Sequence, residues 1–342
     1  MLPHFTRQVS DLLLHDRLAV WTAYDYANYL NGSLADTVYT AYGALGKQSA
    51  VCQGYAMAYM YLLDRVGIES DYCASDTLNH GWNIVYIAGK SYHVDVTWDD
   101  PVWDMTGRVL HDNFLRSTQG IFATGHDAYD YNTAPTDTTY DSYYWQSSST
   151  AFQLTGGKLY YIDQTTDTIN RAEGTNIEQI HSVWDKWYVA SGYYKGFAKL
   201  SSAGNVLLYS VADSVWMLHP EDQVATCVYE PDLPDGSYTS IYGFKYEKGY
   251  LVCDLYHDPN YGRDITPYQA KEPFALEESA IYIVTFQNWD GTVLSKKAYS
   301  YGDTVKAPKD PTRETDGAYV YLFSGWDKEV TACTGDAIYT AT

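Results

Sequence analysis

The sequence predicts a multidomain protein with an α+β domain followed by two all-β regions, and three observations carry this prediction. The chain has 342 residues, which exceeds the usual length of a single domain. Helical and strand-like patterns alternate over residues 1–145, whereas residues 146–278 contain only strand-like runs. Residues 279–342 form a short segment of strands and tight turns. We therefore expect three domains with these boundaries.

The first region predicts two principal helices. Residues 11–31 carry leucines and aromatic residues at helical spacing. The second helix is expected to begin near Cys52, with Ser49 as its N-cap and Gly67 as the residue just past its end. This helix is apolar on nearly every face, so we expect it to be buried at the centre of the domain.

A β-hairpin is predicted after this helix. Residues 80–87 and 92–98 are strand-like runs, and Gly89-Lys90 is predicted to form the turn between them. Successive side chains point to opposite faces of a sheet, so a turn of even length places His80 and Asp95 on the same face. We expect these two residues to be near or diagonal neighbours.

The middle region contains weak repeats of a β pattern. Aromatic and β-branched residues recur, each time followed by polar turn residues, over residues 158–163, 186–190 and 249–254. Such repeats predict a propeller-like array or a sandwich, and a region of about 130 residues is short for a closed propeller. Acidic residues followed by proline predict a linker near residues 270–278.

The composition argues against nucleic acid and membranes as partners. The formal net charge is −21, which repels polyanions and anionic lipid surfaces. No apolar run approaches the roughly 18 residues that a membrane-spanning helix needs. The 36 tyrosines and 10 tryptophans suit β-rich folds, and a sugar- or peptide-binding surface is the alternative explanation.

The five cysteines form no metal-binding pattern. If Cys52 is a nucleophile, Cys73, Cys227, Cys253 and Cys333 remain, and their spacing fits no zinc site. Cys227 and Cys253 both lie in strand-like runs and could pair in an oxidising compartment. We interpret all four as buried free thiols.

Cys52, His80 and Asp95 are the candidate catalytic residues. A thiol at a helix N-terminus feels the positive end of the helix dipole and unpaired backbone N–H groups, which favour the thiolate and can hold an oxyanion. His80 would serve as general base and acid, and Asp95 would fix its tautomer. The chemistry needs no cofactor and no metal.

Each of the three residues also has a structural interpretation. Taken alone, Cys52 would be a buried structural thiol, His80 a histidine on a sheet surface, and Asp95 a turn or cap residue. An aspartate inside an apolar strand is costly unless it is paired, which favours the catalytic interpretation of the set. His93 is a rival base that we interpret as structural.

The stretch from Ser49 to Pro101 resembles the core of the transglutaminase-like superfamily of papain-type cysteine enzymes. Three motifs carry the resemblance, namely Val51-Cys52-Gln53-Gly54-Tyr55-Ala56, His80-Gly81-Trp82-Asn83 and Tyr92-His93-Val94-Asp95-Val96-Thr97-Trp98-Asp99-Asp100-Pro101. The flanks are similar too, with Tyr24-Asp25-Tyr26 upstream and Asn113-Phe114-Leu115 and His126 downstream, so the resemblance covers roughly residues 8–135.

This resemblance implies that Cys52, His80 and Asp95 are the catalytic triad of an α+β papain-like core. The cysteine helix would pack on an antiparallel sheet. The motif leaves the second oxyanion donor open, and Gln53, Gln48 and Trp82 are the candidates for oxyanion or substrate contacts.

Residues 280–340 resemble the internalin-type B repeat of bacterial surface proteins. The resemblance rests on Val284-Thr285-Phe286, Asp290-Gly291-Thr292, Tyr301-Gly302-Asp303, Pro308, Pro311 and Gly325-Trp326. It implies a small β-grasp-like module in a protein that is secreted or displayed on a Gram-positive type of cell. Residues 1–20 lack the features of a signal peptide, so we expect an upstream segment with the export signal.

The function predicted from these observations is acyl transfer from protein or peptide amides through a Cys52 thioester. Hydrolysis, as in a peptidase or deamidase, is slightly favoured over crosslinking of glutamine to lysine, and peptides of the cell wall are one possible substrate. The alternative is a catalytically weak surface adhesin that binds through its β-rich modules. The sequence gives no prediction of oligomeric state.

Overall fold

The computed structural model describes residues 7–102, 104–127, 134–183, 198–221, 223–233, 240–256, 268–275, 282–299, 303–315, 317, 319–333 and 336–342. The chain divides into two compact units, Met1–Phe274 and Ala275–Thr342. Each unit is described by itself below, and the three-domain boundaries stay a prediction.

Helices and short strands alternate in the N-terminal part of the first unit, as the sequence predicts. The elements in chain order are α1 (Arg7–Trp21), β1 (Ala23–Tyr24), α2 (Tyr26–Asn31), α3 (Ala41–Lys47), β2 (Ser49–Ala50), α4 (Cys52–Arg65), β3 (Ser70–Ser75), β4 (His80–Ile87), β5 (Lys90–Val94), α5 (Val96–Asp99) and α6 (Thr118–Ala123). The helix expected over residues 11–31 is two helices separated by β1.

Helix α4 begins at Cys52 and is the central helix of this region. Tyr55, Tyr59 and Leu63 are fully buried in the main hydrophobic core. Gly67 follows the helix with φ of 73°, and its backbone N–H donates to the carbonyl of Asp64, which confirms the predicted end. The prediction of Ser49 as N-cap is wrong, because Ser49 lies in β2 and pairs with Ala23 of β1.

The predicted hairpin is present, but its turn is displaced by one residue. Ile87 pairs with Lys90, so Ala88 and Gly89 form the turn, both with positive φ as a two-residue hairpin turn requires. Strand β4 is the central strand of an antiparallel sheet with β3 and β5 at its edges. The second strand ends at Val94 instead of continuing to Trp98, because Asp95 caps helix α5.

A buried network of polar side chains extends from α1. One oxygen of Asp16, Oδ1, lies 2.8 Å from Nδ1 of His15 and 3.0 Å from Nε2 of His111. His15 also contacts Asp99 through Nε2 at 3.1 Å, and Asp99 accepts hydrogen bonds from the backbone and side chain of Asn113. The network therefore joins α1, α5 and the loop at residues 111–113, which are far apart in the sequence but pack together.

The middle region consists of open antiparallel meanders. Two four-stranded sheets and one three-stranded sheet follow one another, with strands β6 (Gln153–Thr155), β7 (Lys158–Asp163), β8 (Thr168–Glu173), β9 (Asn176–Ser182), β10 (Leu200–Ala203), β11 (Val206–Ser210), β12 (Val215–His219), β13 (Val224–Tyr229), β14 (Ser240–Glu247), β15 (Tyr250–Tyr256) and β16 (Tyr268–Pro273). None of the strands in the described ranges closes a barrel. The run at residues 186–190 lies outside the described residues.

The hydrophobic core around α4 continues into the first of these meanders. Phe152, Leu159 and Tyr161 belong to the same buried cluster as Tyr55 and Leu63. The chain is therefore a mixed α/β protein that is rich in small sheets, and its first sheet of the middle region packs with the α4 core. Whether the meanders form a propeller-like array or a sandwich stays a prediction.

The second unit has its own small sheet and core. Strand β17 (Tyr282–Gln287) lies between β18 (Val293–Tyr299), which is antiparallel to it, and β19 (Ala337–Thr340), which is parallel. Val284, Phe286 and Tyr339 are buried against Trp326. In the portion of the chain that the structure describes, no helix is long and apolar enough to cross a membrane.

Candidate active site

The thiol of Cys52 lies at the first residue of α4 and is half-buried. The N-cap residue Val51 provides no side-chain cap, so the N–H groups of the first helical turn are left for other acceptors. Burial opposes a charged thiolate, but the hydrogen bond and positive charge of His80, with help from the backbone N–H of Gly81, lower the pKa of Cys52. The surroundings of the thiol therefore favour its thiolate form.

His80 is the first residue of β4 and lies between the thiol and a carboxylate. Its Nε2 is 2.6 Å from Oδ2 of Asp95, which leaves Nδ1 for the thiol. Burial opposes protonation of the ring, yet the charge and hydrogen bond of Asp95 and the contact with Cys52 raise the pKa of His80 to about 10. The structure brings all three predicted triad residues together in their expected order.

Asp95 is fully occupied by hydrogen bonds. Its Oδ1 accepts the backbone N–H groups of Thr97 at 3.0 Å and Trp98 at 3.3 Å, which caps α5. Its Oδ2 faces His80. Burial disfavours the charge, but the nearby charge of His80 and hydrogen bonds from two imidazoles hold the pKa of Asp95 well below its ordinary value. One oxygen of Asp95 therefore caps α5, as the structural interpretation expects, and the other faces His80, while the catalytic role of Asp95 stays a prediction.

The second imidazole at Asp95 belongs to His126, which follows α6. Its Nε2 is 2.9 Å from Oδ2 of Asp95, the same oxygen that faces His80. Its ring packs on Trp98, with 4.0 Å between the ring centroids, and on Trp82 at 4.8 Å. The sequence offers His126 only through the family resemblance, since 31 residues separate it from Asp95.

Gly81, which follows the candidate base, lies close to a tyrosine of the neighbouring strand. A Cβ added at Gly81 would clash with the hydroxyl group of Tyr72 in β3. The missing side chain thus lets the Tyr72 ring pass over the strand, while the Gly81 N–H contacts the thiolate.

The structure does not bring all the candidate oxyanion side chains to the thiol. Gln48 donates its amide N–H to the carbonyl of Trp21, and the indole N–H of Trp82 donates to Nδ1 of His93 at 3.0 Å. Gln53 lies next to Cys52 with an exposed side chain. The role of these three residues stays a prediction.

The rival base His93 is buried as a neutral ring. Burial and the proximity of His126 lower its pKa to about 3. Its Nδ1 accepts the Trp82 hydrogen bond, and its Nε2 faces the hydroxyl of Thr118. These contacts agree with the structural interpretation of His93.

A cleft extends from Cys52 along α2. One cavity of about 420 Å³ contains the thiol and His80 and is walled by Tyr24, Tyr29 and Trp98. A second cavity of about 430 Å³ shares several wall residues with it, namely Tyr24, Tyr26, Asp100, Pro101 and Val102. The two cavities therefore adjoin and form one cleft with aromatic walls at the thiol, the kind of site that binds a ligand.

Two groups of side chains in the described ranges have the composition of a metal site. They are His80–Asp95–His126 and His15–Asp16–His111, each with three potential ligand atoms within 4.8 Å of one another. In both groups a single carboxylate oxygen already faces both imidazoles. We interpret them as hydrogen-bonded clusters, and the absence of a metal or cofactor from the chemistry stays a prediction.

Comparison with known proteins gives weak structural likenesses only. No family model and no curated protein matches the chain. Among solved structures, a TGase is 21% identical over 24% of this chain and 24% of its own, with a TM-score of 0.22. The arylamine N-acetyltransferase of Mycobacterium marinum is 12% identical over 66% of this chain and 82% of its own, with a TM-score of 0.23. The chain thus spans about a quarter of that TGase, and the resemblance to a B repeat finds no support.

Proposed function

We propose that this protein is a cysteine enzyme that cleaves amide bonds in proteins or peptides through an acyl-enzyme on Cys52. The observation that carries the proposal is the 2.6 Å contact between Nε2 of His80 and Oδ2 of Asp95, with the same ring also hydrogen-bonded to a thiol at a helix N-terminus. A thiolate, an oriented imidazolium and free backbone N–H groups are the parts that acyl transfer needs.

The acylation step uses each of these groups once. The Cys52 sulfur attacks the amide carbonyl carbon, and the electron pair of the C=O bond moves to oxygen. The N–H groups in the first turn of α4 stabilise this oxyanion. Nδ1 of His80 then gives its proton to the amide nitrogen, the C–N bond breaks, and an amine or ammonia leaves while the thioester remains.

The second step transfers the acyl group to an acceptor. A water molecule attacks the thioester, His80 takes its proton, and the carboxylic acid leaves as the thiolate is restored. Tyr29 and Val102, two walls of the cleft, are partly exposed to solvent, so water reaches the cleft. This openness supports hydrolysis over transfer to a lysine amine, which competes only where water is excluded.

The product of the reaction distinguishes these chemistries. The protein, with Cys52→Ala as its matched control, is incubated with casein, cell-wall stem peptides and a pair of glutamine and lysine peptides, and products are identified by mass spectrometry. Cleavage, or a gain of about 1 Da from deamidation, supports the proposal. A crosslinked peptide pair would show that the enzyme transfers the acyl group to lysine instead of to water. If no substrate gives a product that depends on Cys52, the proposal is contradicted.

We place the enzyme outside the cell or on its surface as part of this proposal. The high acidity of the chain and its additional β-rich modules support that location. Fractionation of cells that express the native gene tests it, with the protein expected in the medium or the wall fraction. A purely cytosolic pool would contradict it.

A surface-binding role is the second candidate, favoured by one observation in the Ala275–Thr342 unit. Tyr319, Val320 and Leu322 are consecutive or nearly so, and their side chains are 68%, 76% and 84% exposed. Apolar groups exposed together mark interaction surfaces in many proteins. An unreactive Cys52 together with binding to host or wall material would favour this role over catalysis.

A further inference from the structure

The carboxylate of Asp95 holds two imidazole rings on a single oxygen. His80 lies 2.6 Å and His126 lies 2.9 Å from Oδ2. The other oxygen is occupied by the two backbone N–H groups of α5. A minimal triad requires only the first of these four contacts, so the contact with His126 needs its own explanation.

We propose that His126 is a positioning residue that holds Asp95 in the orientation in which the aspartate aligns His80 with Cys52. This inference rests on the proposed function and extends it from three residues to four. His126 acts through Asp95 and touches neither the thiol nor the reacting carbonyl.

The surroundings of His126 hold its ring in one orientation. The ring is buried between Trp82 and Trp98. Its Nδ1 lies 3.3 Å from the hydroxyl oxygen of Thr124, which itself donates to the carbonyl of Ile121 at 2.7 Å. A ring packed against two tryptophans and in contact at both nitrogens presents its Nε2–H to Asp95 without losing further conformational freedom.

Several charged or titratable groups surround His126. Asp95 faces it directly, protonated His80 shares the same carboxylate oxygen, and His93 lies close enough to feel its charge. Asp127 is its neighbour in the chain. Because a carboxylate oxygen can only accept hydrogen bonds, the group that His126 must present to Oδ2 of Asp95 is its Nε2–H.

Loss of the donor should weaken the link between Asp95 and His80. In His126→Phe the ring volume remains but Oδ2 loses one hydrogen bond, so the orientation of Asp95 toward His80 is less firmly fixed. We expect alkylation of Cys52 by iodoacetamide at pH 6.5 to slow about 10- to 100-fold, as for the loss of one hydrogen bond to a charged group. The midpoint of the acid limb of the rate–pH profile should move to higher pH.

Two further variants separate positioning from general stability. In His126→Gln the amide can reach Asp95 as a donor, so the rate and the midpoint should stay close to those of the wild type. His111→Phe removes the equivalent contact from the other cluster, where Nε2 of His111 lies 3.0 Å from Asp16. It should lower the melting temperature and leave the alkylation midpoint of the folded protein unchanged.

The outcomes are read on folded protein, with the melting temperature measured for each variant. An unshifted midpoint in His126→Phe overturns the inference, and so does an equal shift in His111→Phe. If His126→Phe does not fold, the position of the proton on the His126 ring of the wild type tests the inference instead. NMR of ¹⁵N-histidine-labelled protein should show a proton on Nε2 of His126, and a ring that carries its proton on Nδ1 alone overturns the inference.

Failure of the inference is distinguishable from failure of the proposed function. If the wild-type thiol itself alkylates no faster than free cysteine, the proposed function fails whatever the variants do. If the wild type is reactive and His126→Phe keeps the wild-type midpoint, the triad stands and His126 is structural.

Discussion

His80 and Asp95 are joined by a contact of 2.6 Å between Nε2 and Oδ2, although one residue begins a strand and the other lies beyond the end of the next strand. The two-residue turn at Ala88-Gly89 sets the register that makes this contact possible, since it pairs Asn83 with Val94. Asp95, one residue further on, then lies diagonally across from His80.

Replacement of Asp95 by asparagine should abolish most activity. The amide retains an oxygen that can cap α5, but its NH₂ group cannot accept the hydrogen bonds from His80 and His126. We expect kcat/KM to fall about 10³- to 10⁴-fold, as in other triads that lose the aspartate charge. Turnover of the best peptide substrate measures this effect. The exposed Asp36→Asn should retain full activity, and an active Asp95→Asn would contradict the role of the carboxylate.

Gly81→Ala should be destabilising because the new Cβ meets the Tyr72 hydroxyl. Displacing the tyrosine ring should reduce the free energy of unfolding by about 1–3 kcal/mol, the usual range for overpacking. Chemical denaturation measures the loss. In the background of Tyr72→Ala the same substitution should cost much less, and equal costs in both backgrounds would show that Tyr72 is not the cause.

The stability of the first unit should fall between pH 6.5 and pH 9 because of His15. Burial disfavours its charge, but hydrogen bonds and charges of Asp16 and Asp99 raise the pKa of His15 to about 9. A histidine whose pKa is higher in the folded state stabilises the fold fully below its unfolded pKa, and this contribution is lost as the pH rises through the folded pKa.

The His15 contribution can be isolated with one variant. We expect the free energy of unfolding of the wild type to fall by up to about 3 kcal/mol over this interval. In His15→Gln most of this decrease in the free energy of unfolding should be absent. Urea denaturation at pH 6.5 and at pH 9 measures both, and identical pH dependence in the two proteins would contradict the assignment.

Tyr29→Ala should weaken substrate binding without changing the chemical step. Tyr29 lies in α2 and lines the cavity that contains Cys52, yet it contacts no triad residue in the hydrogen-bond network. We expect KM to rise several-fold with kcat nearly unchanged. This is the result when a lost contact had stabilised the bound substrate and the transition state equally. Tyr42→Ala removes another exposed tyrosine, which lies outside the residues that line the cavity, so a similar KM effect there would argue against the cleft as the binding site.

Local sequence signals predicted much of the site. The apolar pattern and Gly67 placed α4 and its end, and side-chain alternation placed His80 and Asp95 on one face. Each of these predictions depends on residues that are close in the chain, where propensity and periodicity are informative.

The features that sequence missed depend on tertiary packing. Ser49 has the chemistry of an N-cap, but pairing of β2 with β1 draws it into a strand. The strand expected to run through Trp98 ends early because Asp95 meets the N–H groups of α5. The contact of His126 with Asp95 depends on how α6 packs, and no local pattern encodes that.

The reactivity of Cys52 as a function of pH tests the central claim most directly. The rate of carbamidomethylation by iodoacetamide is measured from pH 4 to pH 10 for the wild type and for His80→Ala, with modification at Cys52 quantified by peptide mass spectrometry. Because His80 lowers the pKa of the Cys52 thiol, the wild type should react rapidly well below pH 8, and His80→Ala should react only near the pKa of an ordinary thiol. A wild-type profile that matches free cysteine, or one that His80→Ala leaves unchanged, would contradict an activated nucleophile at this site.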